Sequence, residues 1–418
     1  MPSATRLPME VLYVLLILLL VTKTCADIAV RFGQPALVGE LVGGILVGLA
    51  VKLFPDADLA IADLGEDRAF DALLDLAVFF LMLIAGIEMR PRDLTGVAKQ
   101  AAPVAIVGLL LPLVLGLGLG WWWLPDSDWK LAQCLFLGVA LAVTAVPVAV
   151  KVLMDLGALD TKVGNIVVAA AVIDDVLSLV LLAVLTSLLS ASESVTGWLF
   201  LMIGVKVTAF FVIAVVAGRY VLPALGKWIR HVAVGHAEFT MVILFGLFLA
   251  VLAELLDMHF LIGAFTAGVV LTRKAMGEEV YSKLRAQFEA ITLGFLAPIF
   301  FASIGMHLDL SAATEAPLFV GALLLLATIG KLAGAGLTAR LVGLQTKGAL
   351  AVGAAMNARG AVELIIADIA LRAGLFDKPE PVPPAVGYMF SAVVIMAIVT
   401  TLLSPIMLRG LLGDSKDT

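Results

Sequence analysis

Ile166-Val-Val-Ala-Ala-Ala-Val-Ile173-Asp174-Asp175-Val176-Leu-Ser-Leu-Val-Leu-Leu-Ala-Val-Leu185 puts two consecutive carboxylates in the middle of an apolar run. With its flanking residues the run is long enough to cross a bilayer as a helix, which needs ~20 residues. An ionisable group at the centre of such a span costs on the order of 3 kcal/mol on insertion scales. Two in succession point to a purpose. They are either a staple, neutralised by cations on neighbouring helices, or a site that takes up a proton and a cation. Consecutive helical residues point about 100° apart, so one carboxylate can face a fixed cation while the other faces a water-filled cavity.

The rest of the chain has the same character. Its 418 residues are 62% hydrophobic and 14% charged, with mean hydropathy +1.11, against roughly 45–50% and 25% in soluble domains. This is an integral, all-α, multi-pass membrane protein with no stretch polar enough for a sizeable soluble domain. Apolar runs predict thirteen spans near residues 9–30, 35–53, 70–88, 95–123, 130–155, 162–189, 196–222, 237–256, 259–273, 288–307, 315–340, 348–373 and 384–408. The first resembles a signal peptide, since its apolar run ends in Thr22-Lys-Thr-Cys-Ala26. Its weak n-region, with Glu10, favours a retained helix. Cys25 and Cys134 suggest no disulfide framework, and the net charge of −6 gives no sign of a nucleic-acid partner.

Basic residues set the orientation. Seventeen, including Arg90, Arg92, Lys151, Lys162, Arg219, Arg273 and Arg409, follow odd-numbered spans; six, Arg6, Lys52, Arg68, Lys130, Arg372 and Lys378, lie on the other side. The N-terminus is therefore expected outside and the C-terminus in the cytoplasm, in a bacterial-type inner membrane. Trp121-Trp122-Trp123 then falls at the outer interface as an anchor. Lys23, Lys206, Lys331 and Arg359 fall within predicted spans.

An internal repeat is visible. Span 2 reads Leu37-Val-Gly39-Glu-Leu-Val-Gly-Gly44 and span 9 reads Leu261-Ile-Gly263-Ala-Phe-Thr-Ala-Gly268. Span 3 ends Phe79-Phe-Leu-Met-Leu-Ile-Ala-Gly86 and span 10 ends Phe300-Phe-Ala-Ser-Ile-Gly305. A displacement of seven spans makes the repeat inverted, the architecture of secondary transporters with an ion site at the midplane. It also pairs span 4 with 11 and span 5 with 12, bringing Lys331 of Gly330-Lys331-Leu-Ala-Gly334 towards the aspartates. Spans 5 and 12 look interrupted. Pro147, in Val143-Thr144-Ala-Val-Pro147, removes a backbone donor, and Met356-Asn357-Ala-Arg359-Gly360-Ala-Val-Glu363 is polar where a span wants leucines. Unwound backbone at membrane depth is tolerated where it lines a cavity or is buried in protein, which makes Thr144 and Asn357 ion-site neighbours. Arg359 and Glu363, spaced i,i+4, read as a structural ion pair. Lys206, Glu254, Asp257, Glu289, Asp71 and Asp75 lie nearer helix ends and receive no transport role. His231 and His236 read as solvated loop histidines. No Walker loop, zinc pattern or nucleophile triad appears, so neither ATP-driven transport nor an intramembrane enzyme is expected.

On Thr144 to Leu153, Gly164 to Asp175, Phe300-Phe-Ala-Ser-Ile-Gly-Met306, Gly330-Lys331 and Met356 to Leu364, the chain resembles the monovalent cation:proton antiporter superfamily, in the branch of Kef-type and NapA-type transporters and plant cation/proton exchangers. The resemblance covers nearly the whole chain. It implies that Asp175 binds cation or proton, that Asp174 pairs with Lys331, and that Thr144, Pro147, Asn357 and Gly360 belong to a helix crossover. It also implies a core transport domain of spans 4–6 and 11–13 moving against a dimerisation domain of spans 1–3 and 7–10, in a homodimer. No cofactor is implied beyond the transported Na+ or K+ and H+, and no nucleotide-binding regulatory domain is expected. Ala171 stands where some sodium-selective relatives have a ligand serine, which leaves ion identity open. The expected activity is Na+/H+ antiport by alternating access, electrogenic if Lys331 releases its proton when the cation binds. The alternatives are a K+/H+ antiporter or K+ efflux pathway of the same fold and, more distantly, an organic-anion symporter.

Overall fold

The structure is a computed structural model that describes residues 7–53, 68–88, 98–144, 161–190, 197–222, 236–256, 258–271 and 276–412, together with Leu153, Leu156 and Ala158. The described elements are all helical. In chain order they are α1 (Leu7–Arg31), α2 (Ala36–Leu53), α3 (Arg68–Glu88), α4 (Ala98–Trp123), α5 (Lys130–Ala142), α6 (Lys162–Ser190), α7 (Gly197–Val216), α8 (Ala237–Leu255) and α9 (Phe260–Val270). Then come α10 (Glu278–Ile291, continuing through Ala297–His307), α11 (Pro317–Lys331, continuing through Thr338–Leu341), α12 in two halves (Thr346–Met356 and Ala361–Arg372) and α13 (Met389–Leu412). Among the described residues nine helices are long and apolar enough to cross a membrane, and the shorter stretches Ala36–Val51, Lys130–Ala142 and Phe260–Val270 are also apolar. This is a multi-pass membrane protein.

Helix ends follow local chemistry. After α1, Gly33 adopts φ of 70° and Pro35 follows, which stops one helix and starts the next. α10 begins at Glu278, ten residues before the apolar run that predicted it. Its first turns are charged on one side but bury Tyr281, Leu284 and Phe288 on the other, a stripe that average hydropathy hides. α7, α10 and α11 contain π-helical segments at Ala217–Val221, Thr292–Leu296 and Leu332–Leu337, and such segments often mark functional or strained positions.

The chain divides into two compact units, one of residues 1–32, 39–89 and 190–307, the other of residues 33–38, 90–189 and 308–418. In the first, glycines let backbones touch, and the contacts come in matched pairs. A Cβ on Gly39 would lie 2.4 Å from the Cys25 carbonyl oxygen of α1, and one on Gly263 would lie 2.2 Å from that of Leu249 in α8. Gly44 of α2 meets Ala302 of α10 just as Gly268 of α9 meets Leu83 of α3. Gly305 meets Leu41, and Gly86 meets Phe265. The second unit pairs α4 with α11 in the same manner, Gly334 resting on Val107 and Gly108 on Ala335. Its apolar core runs through Ile166, Ala170, Ala335, Val352 and Met356.

Candidate functional site

The second unit holds the buried charges. α5 stops at Ala142, well short of the span predicted to residue 155, and Val143 is already extended at φ −65°, ψ 144°. Thr144 is the last described residue of this stretch, and Pro147 lies outside the described residues. α12 breaks as the sequence suggested. Asn357 ends its first half, and Gly360, extended at φ −163° and ψ −155°, opens its second.

Asp174 in α6 and Lys331 in α11 are both fully buried, with the amine 3.7 Å from the carboxylate. The amine's closer partner is Thr144, whose Oγ1 accepts a hydrogen bond from Lys331 Nζ at 2.6 Å. Both Asp174 oxygens are left without a hydrogen bond. Asp175 is partly exposed where Asp174 is sealed, a difference that the 100° between neighbouring helical residues allows.

Arg359, also fully buried, lies between the halves of α12 and not within a continuous span. Its guanidinium donates to the carbonyls of Ala140 at 2.7 Å, Leu141 at 2.6 Å and Val143. These are the orphan carbonyls at the end of α5, where the helix dipole is negative. Its Nε lies 3.6 Å from Glu363 Oε2, so the i,i+4 ion pair exists, but most of the guanidinium serves another helix. Arg359 and Glu363 lie within electrostatic range of Lys331. The break in α12 is supported by α13, where Thr401 donates to the Arg359 carbonyl at 2.9 Å and Ser404 to that of Ala354 at 2.7 Å. The sequence reading missed these two hydroxyls. Their signal was Thr400-Thr401 and Ser404 one turn apart in an otherwise apolar helix. Neither amide atom of the buried Asn357 has a hydrogen-bond partner.

Asp174, Asp175 and Glu363 thus face two cations, Lys331 and Arg359. Carboxylates outnumber cations here by one, and carboxylates and hydroxyls are hard oxygen ligands of the kind that suits alkali-metal cations. Among the described residues no group of three or more His, Cys, Asp or Glu is placed to hold a resident metal.

Residues 15–413 match the family described as sodium/hydrogen exchanger, transmembrane. The chain belongs to that family, and it is a secondary active monovalent cation/proton antiporter working by alternating access, not an enzyme. The Na+/H+-K+ antiporter GerN of Bacillus cereus is 31% identical over 98% of this chain and 97% of its own length. The high-affinity Na+/H+ antiporter NhaS3 of Synechocystis is 28% identical over 97% and 90%. The sodium proton antiporter MjNhaP1 of Methanocaldococcus jannaschii at pH 8 shares the fold, with a TM-score of 0.74 over 98% of this chain and 100% of that one at 18% identity.

Proposed function

We propose that the chain exchanges Na+ for protons, with Asp175 as the carboxylate that binds one or the other and Asp174–Lys331 as the coupled pair beside it. The observation that carries this reading is the position of the Lys331 amine, 2.6 Å from a neutral hydroxyl and 3.7 Å from its carboxylate. A cation arriving at Asp174 and Asp175 takes over the carboxylate from the amine, which already bonds Thr144 and can remain there uncharged after releasing its proton. Two protons then exchange for one cation and transport is electrogenic. An empty site with bare carboxylates crosses a low-dielectric region at high cost, which suppresses uncoupled movement. The aspartate pair and Lys331 support assignment to the Kef- and NapA-type branch. The matched glycine contacts support an inverted repeat, and the breaks after Ala142 and Met356, joined through Arg359, support two crossed discontinuous helices among thirteen spans.

In this reading α4–α6 and α11–α13 form the transport domain and α1–α3 with α7–α10 a dimerisation domain of a homodimer, with the N-terminus outside and the C-terminus cytoplasmic. K+ is the second candidate cargo, favoured by the name of GerN, which includes both ions. The test is exchange in vesicles holding an internal pH dye, with Na+, K+ or Li+ added to wild type and to Asp175→Asn. Proton movement driven by Na+ and lost in the variant is expected, with a rate that responds to membrane potential. Proton movement driven by K+ alone would replace Na+ as the cargo, full activity in Asp175→Asn would overturn the site, and indifference to potential would overturn the stoichiometry.

A further inference from the structure

Ser178 stands one turn beyond the two aspartates, three residues after Asp175 and four after Asp174, so on a helix surface it neighbours both. It is only 2% exposed, and its hydroxyl has no hydrogen-bond partner. That is unusual for a buried helical hydroxyl, whose default is to bond the carbonyl one turn back. Several buried threonines of this protein do so: Thr22 donates to Leu18 at 2.6 Å, Thr186 to Leu182 at 3.0 Å and Thr400 to Met396 at 2.8 Å. Thr266 and Thr292 share the unbonded state of Ser178, but of these three only Ser178 lies within one turn of a fully buried carboxylate on its own helix. Thr186 lies on the same helix as Ser178, only two turns further on. A buried, unmade hydroxyl bond costs about 1–3 kcal/mol, and such a group needs a reason. On the opposite side of the aspartates the turn begins with Ala171, which has no ligand atom.

We propose that Ser178 is a further ligand of the transported cation, supplying a neutral oxygen to the ion that Asp174 and Asp175 hold. The proposal rests on the antiport site described above. A hydroxyl adds a hard oxygen without adding charge, so it strengthens binding of the cation and leaves the count of exchanged protons unchanged. Small ions, which lose most on dehydration, depend most on such a ligand, because ligand number and field strength help set selectivity among monovalent ions. Ser178 therefore sets the ranking of Li+ and Na+ over K+.

The experiment measures exchange in vesicles for Ser178→Ala, Ser178→Cys and Ser178→Thr beside wild type and Asp175→Asn. Ser178→Cys keeps the bulk and replaces a hard oxygen with a soft sulfur, so it separates ligation from packing. The expected result is an apparent KM for Na+ raised about three- to tenfold in the Ala and Cys variants, the size of one lost polar contact. The expected kcat is close to wild type, with a smaller KM change for K+ and recovery of the Na+ preference in Ser178→Thr. An unchanged KM and ion ranking in Ser178→Cys overturns the ligand role. A loss of kcat alone, shared by Ser178→Ala and absent from Ser178→Cys, assigns Ser178 to packing and overturns it equally. Failure of the antiport site itself would appear separately, as full exchange in Asp175→Asn.

Discussion

In the unit of residues 1–32, 39–89 and 190–307 glycines bring helix backbones close together, and the interhelical ion pair of Lys23 with Glu40 at 3.1 Å involves a lysine side chain that is 43% exposed. In the unit of residues 33–38, 90–189 and 308–418, Asp174, Lys331, Arg359 and Glu363 are fully buried and the helix breaks are held by side chains bonding carbonyls. Both units use glycine contacts, and the second adds charge to them. Close backbone packing asks little of the surroundings, since dispersion and interhelical contact suffice between apolar helices. Buried charges are stable only while every partner stays in place. Under the proposed reading, the second unit holds the groups whose charge would change when cargo binds, and the first is held mainly by uncharged packing.

The strongest way to break that contrast is at Arg359. Replacing it with alanine leaves the orphan carbonyls of α5 and the Glu363 carboxylate uncompensated, and a thermal-unfolding loss of about 3–5 kcal/mol is expected. Arg359→Lys keeps the charge but not the fork, so exchange should stay impaired even where folding recovers in part. Wild-type stability in the alanine variant would refute the capping role. Gly86 is the corresponding point in the other unit, where a Cβ would meet the Phe265 carbonyl oxygen at 2.1 Å. Gly86→Ala should destabilise by about 1–3 kcal/mol, the usual range for overpacking, with the KM for Na+ unchanged in the protein that folds. A shifted KM would mean that the packed region also shapes the ion site. The smallest effect is expected at Lys23 and Glu40, where double-mutant coupling between Lys23→Met and Glu40→Gln should be about 1 kcal/mol and exchange should persist. Loss of exchange in the double variant would give this pair a transport role and erase the distinction between the units.

Much of this was legible along the chain. Hydropathy marks the helices because a bilayer requires each backbone polar group to be satisfied within its own segment. Asp174-Asp175 and Lys331 stood out because charge is costly at that depth. The polar stretch from Asn357 to Glu363 announced the break in α12, and the glycines shared by Gly39, Gly44, Gly263 and Gly268 announced their matched contacts. The start of α10 was not legible from hydropathy, because Glu278–Ile291 is amphipathic and its buried Tyr281, Leu284 and Phe288 are averaged with charges.

What sequence alone determined is the class of protein and the identity of its costly groups, since both follow from local composition and the price of charge in an apolar medium. Which partner each group finds was decided by tertiary structure. Arg359 reads as the mate of Glu363 four residues away, yet most of its hydrogen bonds go to carbonyls more than two hundred residues earlier. Lys331 reads as the counter-ion of Asp174, yet it lies closer to Thr144. Ser178 carries no signal in sequence, because a serine with a free hydroxyl and one bonded to its own helix are written with the same letter. Helical spacing constrains neighbours within about one turn, and contacts between distant helices depend on how whole helices pack.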